Sequence, residues 1–367
     1  MARRRVARAI FDYVSRGSYA EETLRANRAD LEALKLRQRV AIDVDRRSTR
    51  TTLLGHEVTM PVGIAPVGLT GLNWADGEML GARAAEKFGI PFTLSTMSIC
   101  SIEDVASAVT KPFWYQLYVF RDRGFAASLI ERAKAAKCSA LVLTLDLQIQ
   151  GQRHRDLKNG LTVPPRLTWG GLLDIASKPA WTLNVLRGRR RSFGNLEGQI
   201  KGADNLMTLA QWIAGQFDPT LSWKDVEWVK KLWGGKLVLK GILDAEDARI
   251  AASTGADAVM VSNHGGRQLD GTVSSIRALP EVVEAVGDRM EVLFDGGVQS
   301  GQDVLRALAL GAKGAFIGKA FAWALGAMGE QGVALALEII RKELDVSMAL
   351  CGLKDVREAS PAILRRA

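Results

Sequence analysis

The sequence predicts an α/β fold closed as a (β/α)8 TIM barrel, and three observations predict it. Eight short apolar runs recur along the chain, most are followed by a helical pattern, and the runs are Val/Ile/Leu-rich rather than alternating. Continuous apolar runs are what strands buried on both faces of a parallel sheet require. Eight β-then-α units in one chain point to closure as a barrel. A doubly wound open sheet would normally carry a glycine fingerprint after its first strand, and residues 61–72 carry none.

In chain order, residues 1–60 read as a mainly helical N-terminal extension with a short polar connection, packed on the barrel. The first four strands are "PVGIAPV" (61–67), "PFTLSTM" (91–97), "PFWYQLYV" (112–119) and "ALVLTLD" (140–146). The last four are "KLVLKG" (236–241), "AVMVSN" (258–263), "EVLFDGG" (291–297) and "GAFIGKA" (314–320). Segments such as "GFAASLIERAKAAK" (124–137) and "GQDVLRALALGAK" (301–313) carry the helical period between them. Residues 147–222 form a long loop after strand 4, and a connection of that length inside a compact domain is usually functional, mobile or both. The reading is a single domain over 1–367.

Composition narrows the function. The 367 residues are 47% hydrophobic and 24% charged, an ordinary globular balance. No run reaches the ~18 consecutive apolar residues of a membrane-spanning helix. The N-terminus, "MARRRVARAIFDYV", meets Arg8, Asp12 and Arg16 too soon for a secretory signal. Cys100, Cys138 and Cys351 are far apart and odd in number, which suggests a reducing compartment and no disulfide framework. Three histidines without CxxC or HExxH speak against zinc, so no metal is expected. The net charge of +9 implies attraction to an anionic partner.

Active sites of such barrels lie at the C-terminal ends of the strands. The residues standing there are Pro66, Val67 and Gly68; Ser95, Thr96 and Met97; Gln116 and Tyr118; and Thr144 and Asp146, then Arg153. The second half adds Lys240; Ser262, His264 and Arg267; Asp295, Gly296 and Gly297; and Gly318 and Lys319. Polar groups from every run would converge on one mouth, which is a stronger signal than any single motif.

The string "SNHGGRQLD" (262–270), with "QLYV", "LKG", "DGG" and "FIGKA" in order, resembles the FMN-dependent L-2-hydroxy acid oxidases and dehydrogenases. L-lactate dehydrogenase, L-mandelate dehydrogenase and glycolate oxidase belong to that family. The resemblance runs from "FDYVSRGS" (11–18) to "MALCGLKDV" (348–356), nearly the whole chain. It implies oxidation of an L-2-hydroxy acid to the 2-oxo acid. His264, of ordinary pKa about 6.5, suits the base, and Asp146 matches the carboxylate that steadies the imidazolium. Arg267 offers a planar fork for the substrate carboxylate, and Arg153 matches a second arginine beside it. Tyr13 and Tyr118 match substrate-binding tyrosines, and Met97 occupies a pocket position that tolerates a larger group.

The resemblance also implies FMN, held by Pro66, Val67, Gly68, Ser95, Gln116, Thr144, Ser262, Asp295 and Gly296. Barrel phosphate sites are commonly built after strands 7 and 8, where Gly297, Gly318 and Lys319 stand. Lys240 would place positive charge near the flavin ring. Lys319 and Gln299 stand where relatives often carry arginine, and Val67 where some have a hydroxyl. L-lactate is the first expected substrate, with L-mandelate the alternative, and the family implies a homotetramer.

The electron acceptor is read from the loop. "GGLLDIASKPAWTLNVLRGRRRSFGN" (170–195) has no acid between Ile175 and Leu196 but carries Lys178, Arg187, Arg189, Arg190 and Arg191 among apolar residues and Trp181. An apolar, Trp-containing segment joined to arginines reads as an interfacial anchor on an anionic membrane surface. The segment assigned to this is 171–196, which puts the enzyme on the cytoplasmic face of the cell membrane beside the quinone pool. The rival is a soluble oxidase that reduces O₂ to peroxide and uses the loop as a lid or subunit contact. Nucleic acid is not expected, because no binding module accompanies the arginines. His56 and His154 read as structural.

Overall fold

The computed structural model describes residues 1–161, 166, 168–198, 212–213 and 215–365. A short antiparallel hairpin, β1 (Thr51–Leu53) and β2 (His56–Val58), precedes the barrel. The barrel strands are β3 (Val62–Ile64), β4 (Thr93–Ser95), β5 (Trp114–Leu117), β6 (Ala140–Thr144), β7 (Lys236–Ile242), β8 (Ala258–Val261), β9 (Glu291–Asp295) and β10 (Gly314–Ile317). They pair in parallel in the order β3-β10-β9-β8-β7-β6-β5-β4, and a parallel bridge from Ile64 to Phe92 closes the ring. All eight runs expected as strands are strands, seven of them shorter than the apolar run and β7 one residue longer.

Side chains alternate along a strand, and one parity of each strand fills the barrel. Val142 lies opposite Val238 and Met260 opposite Leu293. With Trp114, Ala140, Ala258 and Phe316 they form one buried cluster. Phe316 takes the space beside Gly63, where a Cβ would stand 2.3 Å from its ring. Two residues further along the same parity come Gln116, Thr144, Lys240, Ser262, Asp295 and Gly318. The apolar half of the barrel is thus continued by a polar layer at the C-terminal ends, and strand register alone sets that layer.

Residues 1–60 were expected to be mainly helical. Helices Ala2–Arg5, Arg8–Ser15 and Glu22–Ala33 are present, but the β1–β2 hairpin departs from that expectation. Leu54 and Gly55 both take positive φ, 50° and 83°, which makes the tight turn. Leu53, Leu54 and Val58 then join the barrel-interior cluster, so burial favours the hairpin.

Among the described residues one helix, Lys319–Cys351, is long and apolar enough by composition to cross a membrane. It is kinked at Met328–Gly329, packs against Gly77–Phe88 and Gly301–Ala309, and buries Phe321, Leu325, Val333, Leu337, Ile340 and Leu344. One face is thus packed on the barrel wall, while Leu335, Ile339, Val346 and Leu350 remain exposed on the other.

Candidate active site

The loop after β8 carries the most constrained backbone of the mouth. His264, Gly265 and Gly266 take φ of 57°, 65° and 72° in succession. Two are glycines, for which the left-handed region is free; a histidine held there stores strain of order 1 kcal/mol. The N-terminal helix Glu22–Ala33 acts as the splint. Asn27 and Asn263 exchange amide hydrogen bonds of 2.8 and 2.7 Å, and Gly266 N donates to Asn263 Oδ1 at 3.1 Å. A Cβ on Gly266 would stand 2.6 Å from Leu24 N, so the helix packs directly on the turn.

That turn places His264 Nδ1 2.9 Å from Asp146 Oδ1, from the end of β6. Gln268 Nε2 donates to the carbonyls of Asp146 at 2.7 Å and Ile149 at 2.9 Å, tying the two loops together. Gly241 lets β7 pass close, since a Cβ there would lie 2.7 Å from Asp146 Cβ. Burial alone would raise the Asp146 carboxyl, but the imidazole and the Lys240 ammonium outweigh it and hold it below its ordinary range. Burial lowers the pKa of His264, against the opposing pull of Asp146. With Asp146 ionised, Nδ1 carries the hydrogen and Nε2 is the basic nitrogen.

Two guanidiniums share this cavity. Arg267 donates to the carbonyls of Tyr13 and of Arg16, the latter at 3.0 Å, and lies 4.7 Å over the Tyr13 ring. Arg153 approaches the same ring at 6.0 Å, with its Nε 3.4 Å from Arg267 O. Burial, then the charge of Arg153, lowers Arg267 to about 10, which leaves it cationic at neutral pH. Neither forms an ion pair with a carboxylate among the described residues. The nearby Asp156 carboxyl is buried, and that burial pushes its pKa up. Tyr13, Met97 and Tyr118 line the cavity beside the two arginines.

The opposite wall fits a flat, polar-edged ligand that ends in a phosphate. Lys240 Nζ donates to Ser262 Oγ at 2.7 Å and pairs with Asp295 at 3.1 Å. Ser95 Oγ donates to Gln116 Oε1 at 3.2 Å. Gln116 Nε2, Thr144 Oγ1 and Asp295 Oδ1 are buried polar atoms with no partner among the described residues, the pattern expected where a ligand completes the set. Pro66, Val67, Gly68 and Leu69 close one side. At the β9 and β10 ends, Gly296 and Gly297 take φ of 114° and 89°, and a Cβ on Gly297 would stand 2.7 Å from Asn27 O. Gly318 caps the helix that starts at Lys319. Lys319 Nζ donates to Gly265 O at 2.8 Å, and burial with the charge of Arg267 lowers it to about 7. These groups suit FMN: uncommitted polar atoms for the ring, and glycine backbone, a helix start and a lysine for the phosphate.

The structure gathers every residue proposed from the sequence for this site around one cavity. Gln116, Ser262 and Asp146 stand just behind its lining, each bonded to a residue near it. Asn27, Asn263 and Gln268 were not singled out by sequence reasoning, although Asn263 and Gln268 lie within the SNHGGRQLD string. His56 and His154 are exposed, the latter edge-on to Tyr19.

The segment assigned to a membrane forms two short helices, Trp169–Ala176 and Pro179–Leu186. Trp169 is 84% exposed, Leu173 71% and Leu183 55%. Three of its residues depart from the expected surface role. Trp181 is buried and donates to Leu72 O at 2.8 Å, and Phe193 lines the cavity. Arg190 is ion-paired with Asp104 and Glu197. Residues 199–211 of the long loop lie outside the described residues.

Comparison with known proteins agrees with this geometry. The family model "FMN-dependent dehydrogenase" matches residues 2–366. The chain is 49% identical over 366 residues to the L-lactate dehydrogenase of Caulobacter sp. (strain K31), covering 100% of this chain and 96% of that protein. It is 48% identical over 370 residues to the L-lactate dehydrogenase of Pseudomonas syringae pv. syringae (strain B728a), with the same coverage. Among solved structures, the monotopic membrane protein (S)-mandelate dehydrogenase superposes with a TM-score of 0.95 at 36% identity, covering 100% of this chain and 97% of that one. An FMN-shaped wall facing a histidine–carboxylate pair therefore sits on a chain matched end to end, and this chain belongs to the FMN-dependent dehydrogenase family of 2-hydroxy acid oxidases and dehydrogenases, with FMN as its cofactor.

Proposed function

We propose that the enzyme oxidises L-lactate to pyruvate at the membrane surface and passes the electrons to quinone. The observation that carries the chemistry is the His264–Asp146 pair in one cavity with two guanidiniums that form no ion pair with a carboxylate among the described residues. A 2-hydroxy acid supplies what they lack. Its carboxylate takes the Arg267 fork, with Arg153 alongside, and its hydroxyl hydrogen goes to His264 Nε2. The resulting imidazolium is stabilised by Asp146, which the 2.9 Å contact already holds in place. FMN, when bound, would supply the acceptor for the Cα hydrogen and the two electrons that leave as the alcohol carbon becomes a carbonyl. Tyr118, whose phenol is pushed up in pKa by burial, stays protonated and can donate to the substrate.

Lactate is favoured by the 46–49% identity to L-lactate dehydrogenases. L-mandelate is the second reading, favoured by an apolar roof of Leu161, Phe193, Ile213 and Phe217 over the cavity and by the (S)-mandelate dehydrogenase likeness. The membrane and quinone parts are supported by the exposed Trp169, Leu173 and Leu183, and by the likeness to a monotopic membrane protein. Anaerobic mixing tests the reading: L-lactate is expected to bleach the yellow holoenzyme and D-lactate is not. Bleaching by L-mandelate at a far higher kcat/KM than by L-lactate would select the second reading.

Arg267→Lys is expected to raise KM and slow cofactor reduction, a combined loss of roughly 10²-fold, because a point charge replaces a planar fork. The methyl ester of lactate is expected to be a poor substrate of the parent and to lose most of that disadvantage in this variant. Equal turnover of ester and acid by the parent enzyme would remove the clamp.

A further inference from the structure

The N-terminal turn is docked on the two helices of the long loop. Val6, Ala7 and Ile10 share a buried cluster with Trp181, against which Ile175 and Val185 also pack. Lys178 Nζ donates to Arg4 O at 2.6 Å, and Asp174 Oδ2 accepts from Arg8 N at 2.6 Å. Both ties use backbone atoms of the turn. The side chains of Arg3, Arg4 and Arg8 are exposed and form no ion pair among the described residues. Asp174, the one acid of the two helices, is already taken by Arg8 N.

We infer that Arg3, Arg4 and Arg8 form, with the helices Trp169–Ala176 and Pro179–Leu186, one composite face that binds an anionic lipid bilayer. The inference rests on the membrane reading above and extends it to residues far away in the sequence. Charge and polarity select the occupant. The exposed guanidiniums of the turn belong to a segment tied to the helix pair that carries Arg187 and the more than half exposed Trp169, Leu173 and Leu183. Lipid headgroups reward the cations while the acyl boundary takes the apolar side chains. Nucleic acid would reward the cations alone. Arg190, ion-paired to Asp104, contributes little, and the turn adds its charge to that of the exposed Arg187, Arg189 and Arg191.

The test is sedimentation of the full-length holoenzyme with phosphatidylglycerol/phosphatidylcholine vesicles at low salt. Replacing Arg3, Arg4 and Arg8 together by glutamine is expected to weaken binding roughly 100-fold, about fivefold per charge. Replacing all three by lysine should retain it. A control triple, Lys111→Gln, Lys137→Gln and Lys313→Gln, removes the same net charge from exposed positions just before β5, β6 and β10, at the opposite end of the barrel. It should bind like the parent. Dye-linked lactate oxidation in solution should be unchanged in all three variants, which shows that they fold. Parent-like binding by the glutamine triple, or an equal loss in the control, overturns the composite face while leaving the loop as anchor. A parent enzyme that ignores anionic vesicles overturns the membrane reading itself, and the inference with it.

Discussion

Replacing His264 by alanine is expected to leave FMN bound and to slow its reduction by L-lactate by at least ~10²–10⁴-fold, the usual range for loss of a general base. The position is demanding in two ways, and the experiment must separate them. The side chain is fixed to Asp146 through Nδ1, which leaves Nε2 as the basic atom. The backbone is left-handed, with φ of 57°, so alanine both deletes the base and adds strain that could loosen the loop. Asparagine tolerates that backbone region better and offers no comparable base. His264→Asn should therefore keep the turn, shown by an unchanged flavin absorption spectrum and melting temperature, and lose as much rate as alanine. Anaerobic stopped-flow reads both variants; near-parental reduction by the asparagine variant would take the base role away from His264.

The strands of this barrel were legible because burial on both faces leaves no room for polar alternation, so each strand is a continuous apolar run. The polar layer at the mouth followed from the same pattern, since the residues ending each run continue the inward parity from Val142 to Thr144 or from Val238 to Lys240. The β1–β2 hairpin was not legible. Its strands have three residues each, too few for a period, and the cluster that stabilises it is contributed by strands as distant as that of Phe316, 263 residues after Leu53. Asn27 carried no local signal for a related reason: its partner, Asn263, is 236 residues distant. The long loop shows a further limit. Its apolar residues were visible, but amphipathicity does not distinguish a side chain facing lipid from one facing protein. Leu173 is exposed, whereas Trp181 is buried against the N-terminal turn. Arg190 reads as a surface cation until Asp104, 86 residues earlier, is placed beside it.

Asp146→Asn isolates the other half of the pair. The carboxylate stabilises the imidazolium that forms when His264 takes the substrate proton, and a charge-assisted hydrogen bond of this kind contributes about 1.5–3 kcal/mol. Its loss is expected to slow cofactor reduction by roughly 10²-fold at neutral pH. The pH profile carries the more specific forecast. In the parent, burial lowers the His264 pKa and Asp146 opposes that shift. Since the neutral imidazole is the base, the acid limb of kcat/KM should fall below the ordinary histidine value of about 6.5. Removing the Asp146 charge takes away the opposing influence while burial and the Lys240 and Arg153 charges stay. The pKa of His264 then falls further, so the variant's acid limb moves to still lower pH as its plateau drops. A carboxylate that merely filled space would leave both the plateau and the limb unchanged, because asparagine is nearly isosteric and still offers an oxygen to Nδ1. An unmoved or alkaline-shifted limb in Asp146→Asn would therefore show that Asp146 does not tune His264 by its charge.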